Sequence, residues 1–261
     1  MNALSHFAAD HDGERLGAVA GGDPDAPVAA VVMHGAGRSD KERLLPLLGE
    51  FVARGCRGVA FDFSGHGEST GELRESSLRR RFDQAVAVID ARVPADRALI
   101  LVGFSMSGQT VADLAAHYGD RVTALGLCAP AVYAAEAWDV PFGTGDGPFS
   151  ALIRRPGSWR GSPALDALRA YRGRAVLAVP GTDAVIPAAV TEAVQAALSC
   201  RARYTRFELP AADHSLGLWF LAHGDDRRAF VTALLSEGSG GVAGGGPLSV
   251  GVGRMGDRAS S

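Results

Sequence analysis

The sequence predicts an α/β fold: a doubly wound, mostly parallel sheet with helices on both faces, carrying one short lid insertion. Three observations predict it. Wholly apolar runs such as residues 28–33 and 98–104 read as strands buried on both faces of a parallel sheet. Segments with apolar residues at helical spacing lie between such runs. The two kinds alternate along most of the chain, the pattern of βαβ units.

The first element is a hairpin over residues 7–20, turned at His11-Asp12-Gly13 and placed at a sheet edge. Residues 28–33 form the first buried strand. A helix follows over 44–54, with Leu44, Leu48, Phe51 and Val52 on one face, Pro46 in its first turn and Gly55 as its stop. Residues 58–63 are a strand. Leu78, Phe82, Ala85 and Ile89 mark a helix that ends before Pro94. The most apolar strand, 98–104, runs into a helix over 105–118, and a strand follows at 122–128. Further on come a strand at 174–179, a helix at 187–198 opened by proline, a strand at 204–209 and a last helix within 216–235.

Two stretches break this rhythm. Residues 129–172 separate two strands and contain Gly143-Thr144-Gly145-Asp146-Gly147-Pro148. So long a connection in a compact domain is usually functional, and a lid is expected. Residues 237–261 are Gly-rich, without aromatic residues or periodicity, and read as a disordered tail. The expected organisation is one domain over 1–236, a lid at about 129–172, and the tail.

Composition narrows the function. The 261 residues are 47% hydrophobic and carry a net charge of −3, from 26 basic and 29 acidic side chains. That balance argues against nucleic-acid partners and against a polybasic membrane anchor. Lys41 is the only lysine, the other basic residues all being arginine. Cys56, Cys128 and Cys200 are odd in number and scattered, which fits a reducing compartment and gives no zinc spacing. The first residues lack the charged and apolar regions of a signal peptide, and no apolar run nears the ~18 residues of a membrane span. A cytoplasmic protein is expected, with no metal or organic cofactor. The Gly-rich loops lack the Gly-Lys-Ser/Thr of a P-loop and the Gly-x-Gly-x-x-Gly of a dinucleotide site.

Ligands of an open parallel sheet sit at the carboxyl ends of its strands. Those ends carry His34-Gly35-Ala36-Gly37, then Ser64-Gly65-His66-Gly67, Ser105-Met106-Ser107-Gly108, Gly181-Thr182-Asp183 and Asp213-His214. A Ser, an Asp and a His thus emerge at strand ends in that chain order.

Together these residues resemble the α/β-hydrolase superfamily, over roughly residues 28–235. Gly103-Phe104-Ser105-Met106-Ser107-Gly108 is similar to its nucleophile elbow, with Ser107 where the Gly-x-Ser-x-Gly pattern ends in glycine. The resemblance implies that Ser105 attacks a carbonyl, that His214 takes its proton, and that Asp183 orients the imidazole. It also implies an oxyanion hole from the backbone N–H groups of Ala36 and Met106. Ser105 as a plain helix cap, Ser107 as nucleophile and Asp139 as the acid are the rival assignments. His34 and His66 read as loop-shaping groups, and Asp213 as a turn residue. Arg79-Arg80-Arg81 reads as a solvated charge run, and Trp219 and Phe220 as core. Phe142, Phe149, Leu152 and Trp159 either line a substrate pocket or pin the lid to the core.

The expected activity is hydrolysis of a small-molecule ester or thioester by a Ser-His-Asp triad through an acyl-enzyme. The alternatives are a non-hydrolytic enzyme of the same fold (lyase, acyltransferase or cyclase) and a catalytically silent binding protein, because fold does not fix reaction.

Overall fold

The computed structural model describes residues 4–236, and the segment 237–261 lies outside the described residues. Among the described residues, eight strands form one sheet in the order β1-β2-β4-β3-β5-β6-β7-β8. They are β1 (Ser5–His11), β2 (Glu14–Gly21), β3 (Val28–Met33), β4 (Arg57–Phe61), β5 (Ala98–Phe104), β6 (Val122–Cys128), β7 (Arg174–Thr182) and β8 (Arg203–Asp213). The β1–β2 hairpin is antiparallel and joins β4 antiparallel, while every pairing from β4 to β8 is parallel. Asp12 and Gly13 turn the hairpin with φ of 49° and 77°, both in the left-handed region that a two-residue turn of this hand requires.

The helices are α1 (Leu45–Val52), α2 (Leu78–Arg92), α3 (Ser107–Tyr118), α4 (Pro148–Ile153), α5 (Pro163–Ala170), α6 (Ala188–Leu198), α7 (Leu216–Ala222) and α8 (Gly224–Leu235). They cover both faces. Ala29, Val31 and Met33 of β3 face the core beneath α2, α3, α5 and α6. Ala30 and Val32 face the core beneath α1, α7 and α8. Successive side chains of a strand point to opposite faces, so covering both faces requires the unbroken apolar run. Among the described residues, no helix is long and apolar enough to cross a membrane.

Several boundaries depart from expectation. Strands β7 and β8 run three and four residues further than 179 and 209. Pro180, Gly181 and Pro210 hide this in the sequence. The register shifts between Pro180 and Thr182, and β8 is an edge strand where a proline is tolerated. The last helix is two, broken at His223 (φ −110°, ψ 88°). The stretch 129–172 also divides. Ala164, Leu165 and Leu168 of α5 are buried in the sheet-covering core, so α5 is the crossover helix between β6 and β7. The part standing over the strand ends is what precedes it.

Candidate active site

Strand β5 delivers Ser105. The backbone turns there through φ 50°, a strained value for a residue with a side chain, and it lifts the hydroxyl above the sheet. The turn is held because Ser105 N–H donates to Cys128 O (2.9 Å) and Ala131 N–H donates to Ser105 O (2.9 Å). Gly103 permits the close return of α3: a Cβ there would lie 2.5 Å from Ser107 O.

Strands β7 and β8 deliver the other two groups. Thr182 pairs with Asp213, so the next residue of each strand, Asp183 and His214, leaves the sheet side by side. Thr182 Oγ1 donates to Ala212 O (3.0 Å) and ties the two ends together. His214 Nδ1 lies 3.0 Å from Asp183 Oδ2, and His214 Nε2 lies 3.0 Å from Ser105 Oγ. The other carboxylate oxygen of Asp183 accepts the N–H groups of Val185 (2.8 Å) and Ile186 (2.9 Å). These bonds fix the carboxylate, and with Nδ1 donating to it, Nε2 is left as the acceptor facing Ser105.

Ala36 and Met106 flank Ser105, and neither N–H donates to a turn or loop carbonyl. Both line the cavity into which the hydroxyl opens. The segments that carry them are linked by a buried bridge. Ser107 Oγ donates to His34 O (2.6 Å) and accepts from Arg81 Nη2 (2.8 Å), which also donates to His34 O (2.7 Å). Arg81 and Ser107 are fully buried. Arg81 is therefore not part of a solvated charge run. Arg79 is exposed and pairs with Asp139 (3.0 Å), but Arg81 points inward and its guanidinium lies 3.6 Å over the Phe63 ring. Helical geometry explains the split, because residues two apart in a helix face different directions. Burial pushes the Arg81 guanidinium down to about 9.

Two histidines shape these loops. His34 Nε2 accepts from Phe63 N–H (3.1 Å), and its Nδ1 lies 2.6 Å from Gly35 O. His66 Nδ1 lies 3.0 Å from Ser64 O. Burial, reinforced by the Arg81 charge, lowers the pKa of both, so they are neutral hydrogen-bonding groups. The sole lysine, Lys41, is fully buried, and its ammonium donates to Asp62 Oδ2 (2.8 Å) and Glu68 Oε2 (2.7 Å). It clamps the loop after β3 to the loop after β4.

Two cavities meet at Ser105 and His214. The larger, about 680 Å³, has walls from Tyr133, Ile153, Trp159, Ile186 and Val190, with Arg154 and Arg155 at the lid. The smaller, about 200 Å³, lies on the other side and includes Arg38, Arg43, Leu216 and Leu218. Of the four lid residues singled out in the sequence, only Trp159 lines a cavity at Ser105. Phe142 and Phe149 are buried against one another, ring centroids 4.8 Å apart, in a cluster that Leu152 joins. They pin the lid: Phe142 N–H donates to Ser76 O (2.8 Å) and Gly143 N–H to Arg74 O (2.9 Å). The rival assignments separate equally plainly. Ser107 is turned away into its buried bridge, and Asp139 is held by Arg79. Sequence reasoning missed Val185 and Ile186, which line the larger cavity. An apolar pair in a loop, just after the Asp at a strand end, was the available signal. Val185 is 61% exposed.

A family model described as serine aminopeptidase, S33 matches residues 24–155, half of the chain. The match spans the loop after β3 and the turn at Ser105. No curated protein matches the sequence. Among solved structures, the fold is similar to a thioesterase domain from the curacin biosynthetic pathway (17% identity, 88% of this chain, 100% of that one, TM-score 0.66). It is also similar to Est1E from Butyrivibrio proteoclasticus with bound ferulic acid (17% identity, 88% and 100%, TM-score 0.65). A third likeness is to the Pyrococcus furiosus esterase Pf2001 (14% identity, 90% and 92%, TM-score 0.65).

Proposed function

This chain belongs to the serine aminopeptidase S33 family of the α/β-hydrolase superfamily, and from that premise we propose that it is a serine hydrolase cleaving a small carboxylic ester or thioester. The observation that carries the reading is the pair of 3.0 Å contacts that His214 makes, one to Ser105 and one to Asp183.

The chemistry follows from those contacts. Ser105 Oγ attacks the carbonyl carbon as its proton passes to His214 Nε2. Asp183 stabilises the resulting imidazolium and keeps its orientation. The carbonyl oxygen becomes an oxyanion between the N–H groups of Ala36 and Met106, and the N-terminus of α3 adds a favourable dipole. Collapse breaks the bond to the leaving alcohol or thiol, which takes the proton from His214. Water then repeats the sequence on the acyl-enzyme, releasing the acid and restoring Ser105.

The walls argue for an ester over the N-terminal peptide that the family description suggests. An aminopeptidase must seat a free ammonium group, and among the described residues no Asp or Glu lines either cavity at Ser105. An uncharged chain of apolar character fits Ile153, Trp159, Val185 and Ile186 instead.

A fluorophosphonate ester should add its mass to the peptide carrying Ser105, and Ser105→Ala should abolish both labelling and turnover of octanoyl esters and thioesters. Label on Ser107, or full turnover by Ser105→Ala, refutes the assignment. Label on Ser105 with no turnover of any ester or thioester replaces hydrolysis by lyase, transfer or cyclisation chemistry.

A further inference from the structure

We propose that the substrate is an anionic amphiphile, with its apolar arm in the larger cavity and a carboxylate or phosphate held between Arg38 and Arg43 in the smaller one. The inference rests on the reading of Ser105 as nucleophile. It goes beyond that reading in naming what lies on each side of the scissile bond.

Any ester or thioester has two arms diverging from the attacked carbonyl. Two cavities diverge from Ser105 and His214, and their chemistry is unequal. The larger is walled mostly by apolar side chains. The smaller is lined by Arg38 and Arg43, and by the hydroxyl-bearing Ser39 and Ser215. Its volume of about 200 Å³ suits a short polar group and not a long chain.

The arginines of the smaller cavity are uncommitted. Neither Arg38 nor Arg43 has a side-chain hydrogen bond or ion pair among the described residues. The nearest acids in sequence are engaged elsewhere. Asp40 accepts the backbone N–H of Arg43 (3.3 Å), and Glu42 lies 3.3 Å from the Lys41 ammonium. Among the described residues, the walls of both cavities carry Arg38, Arg43, Arg154 and Arg155 and no carboxylate, in a chain whose net charge is −3. Arg154 is paired with Asp146, which leaves three free cations around one nucleophile. A concave site lined by one sign of charge raises the local concentration of oppositely charged ligand. A guanidinium keeps its charge at any working pH and meets carboxylate or phosphate oxygens through a planar fork.

Calorimetry on the Ser105→Ala protein separates binding from turnover. The probes are 3-(octanoyloxy)propanoate and its primary amide, 2-(octanoyloxy)ethyl phosphate, and monooctyl succinate with its amide, which reverses the ester. At least one anionic ester should bind on the order of tenfold tighter than its neutral amide, the worth of one good charge-assisted contact. Adding Arg38→Gln and Arg43→Gln should bring that ratio close to one, and salt should shrink it in the parent protein. Comparing the phosphate with the propanoate tells which anion the cleft prefers. Equal binding of acids and amides, no binding by any anionic ester, or a preference that survives both substitutions overturns the subsite. Phosphonate labelling of the unsubstituted protein reports separately on Ser105, so the subsite can fail while the hydrolase reading stands, and the reverse.

Discussion

The bridge between Ser107, Arg81 and the His34 carbonyl joins the two segments that carry Ala36 and Met106, and Ser107→Ala tests what it contributes. The hydroxyl is fully buried and makes two short bonds, one donated to His34 O (2.6 Å) and one accepted from a guanidinium (2.8 Å). A neutral bond of this kind is worth about 1 kcal/mol and a charged one about 1.5–3 kcal/mol. The His34 carbonyl keeps its Arg81 partner, so the loss should be about 2–3 kcal/mol, or roughly 5–10 °C of thermal midpoint for a chain of this size. Loss of a whole oxyanion donor costs about 10²–10³ in kcat. Loosening the loop proposed to carry one should cost less, about tenfold, and fall on kcat with little change in KM. Urea unfolding and octanoyl ester kinetics measure both. In an Arg81→Met background the same substitution should cost about 1 kcal/mol less, because one partner of the hydroxyl is already gone. A stability change under about 0.5 kcal/mol, with kcat within twofold of the parent, would refute the bridge as a positioning device.

The remaining expectations are more local. Asp183→Asn should lower kcat by orders of magnitude, since an amide nitrogen facing Nδ1 favours the wrong tautomer; steady-state ester kinetics with unchanged thermal midpoint is the check. Trp159→Ala should change the ranking of acyl chain lengths, because Trp159 lines the larger cavity, whereas Phe142→Ala should leave the ranking intact and cost about 3–5 kcal/mol of stability, since Phe142 is 8% exposed. Parallel acyl-length panels and denaturation curves distinguish the two. Burial raises Asp113 from an ordinary 3.8 to about 7, against the opposing hydrogen bond from Gln109. Between those values the unfolded chain releases this proton and the folded chain keeps it, so this group's contribution falls as pH rises, by at most about 4 kcal/mol. Asp113→Asn should therefore gain thermal midpoint over the parent progressively from pH 4 to pH 7 and hold the gain above; a constant difference across that range would contradict the raised value.

Much of this molecule was decided one residue at a time along the chain. The apolar runs at 28–33 and 98–104 coincide with β3 and β5, because a strand covered on both faces is apolar throughout, and 122–128 coincides with β6, interrupted only by the exposed Thr123. The order of Ser105, Asp183 and His214 was legible too, since open α/β sheets present ligand-facing groups at strand ends, and those ends can be marked from local pattern alone. What the chain could not disclose by itself were the relations between distant segments. Whether Asp183 meets His214 depends on the register that pairs Thr182 with Asp213, past a register shift that prolines conceal. Arg81 looks like its neighbours Arg79 and Arg80 in sequence, and only the packing of α2 against the elbow turns one of three consecutive arginines inward. Phe142, Phe149, Leu152 and Trp159 share one apolar character, yet three pin the lid and one faces the cavity. Hydrophobicity determines that a side chain leaves water; the three-dimensional arrangement of its neighbours determines whether it does so in the core or against a ligand.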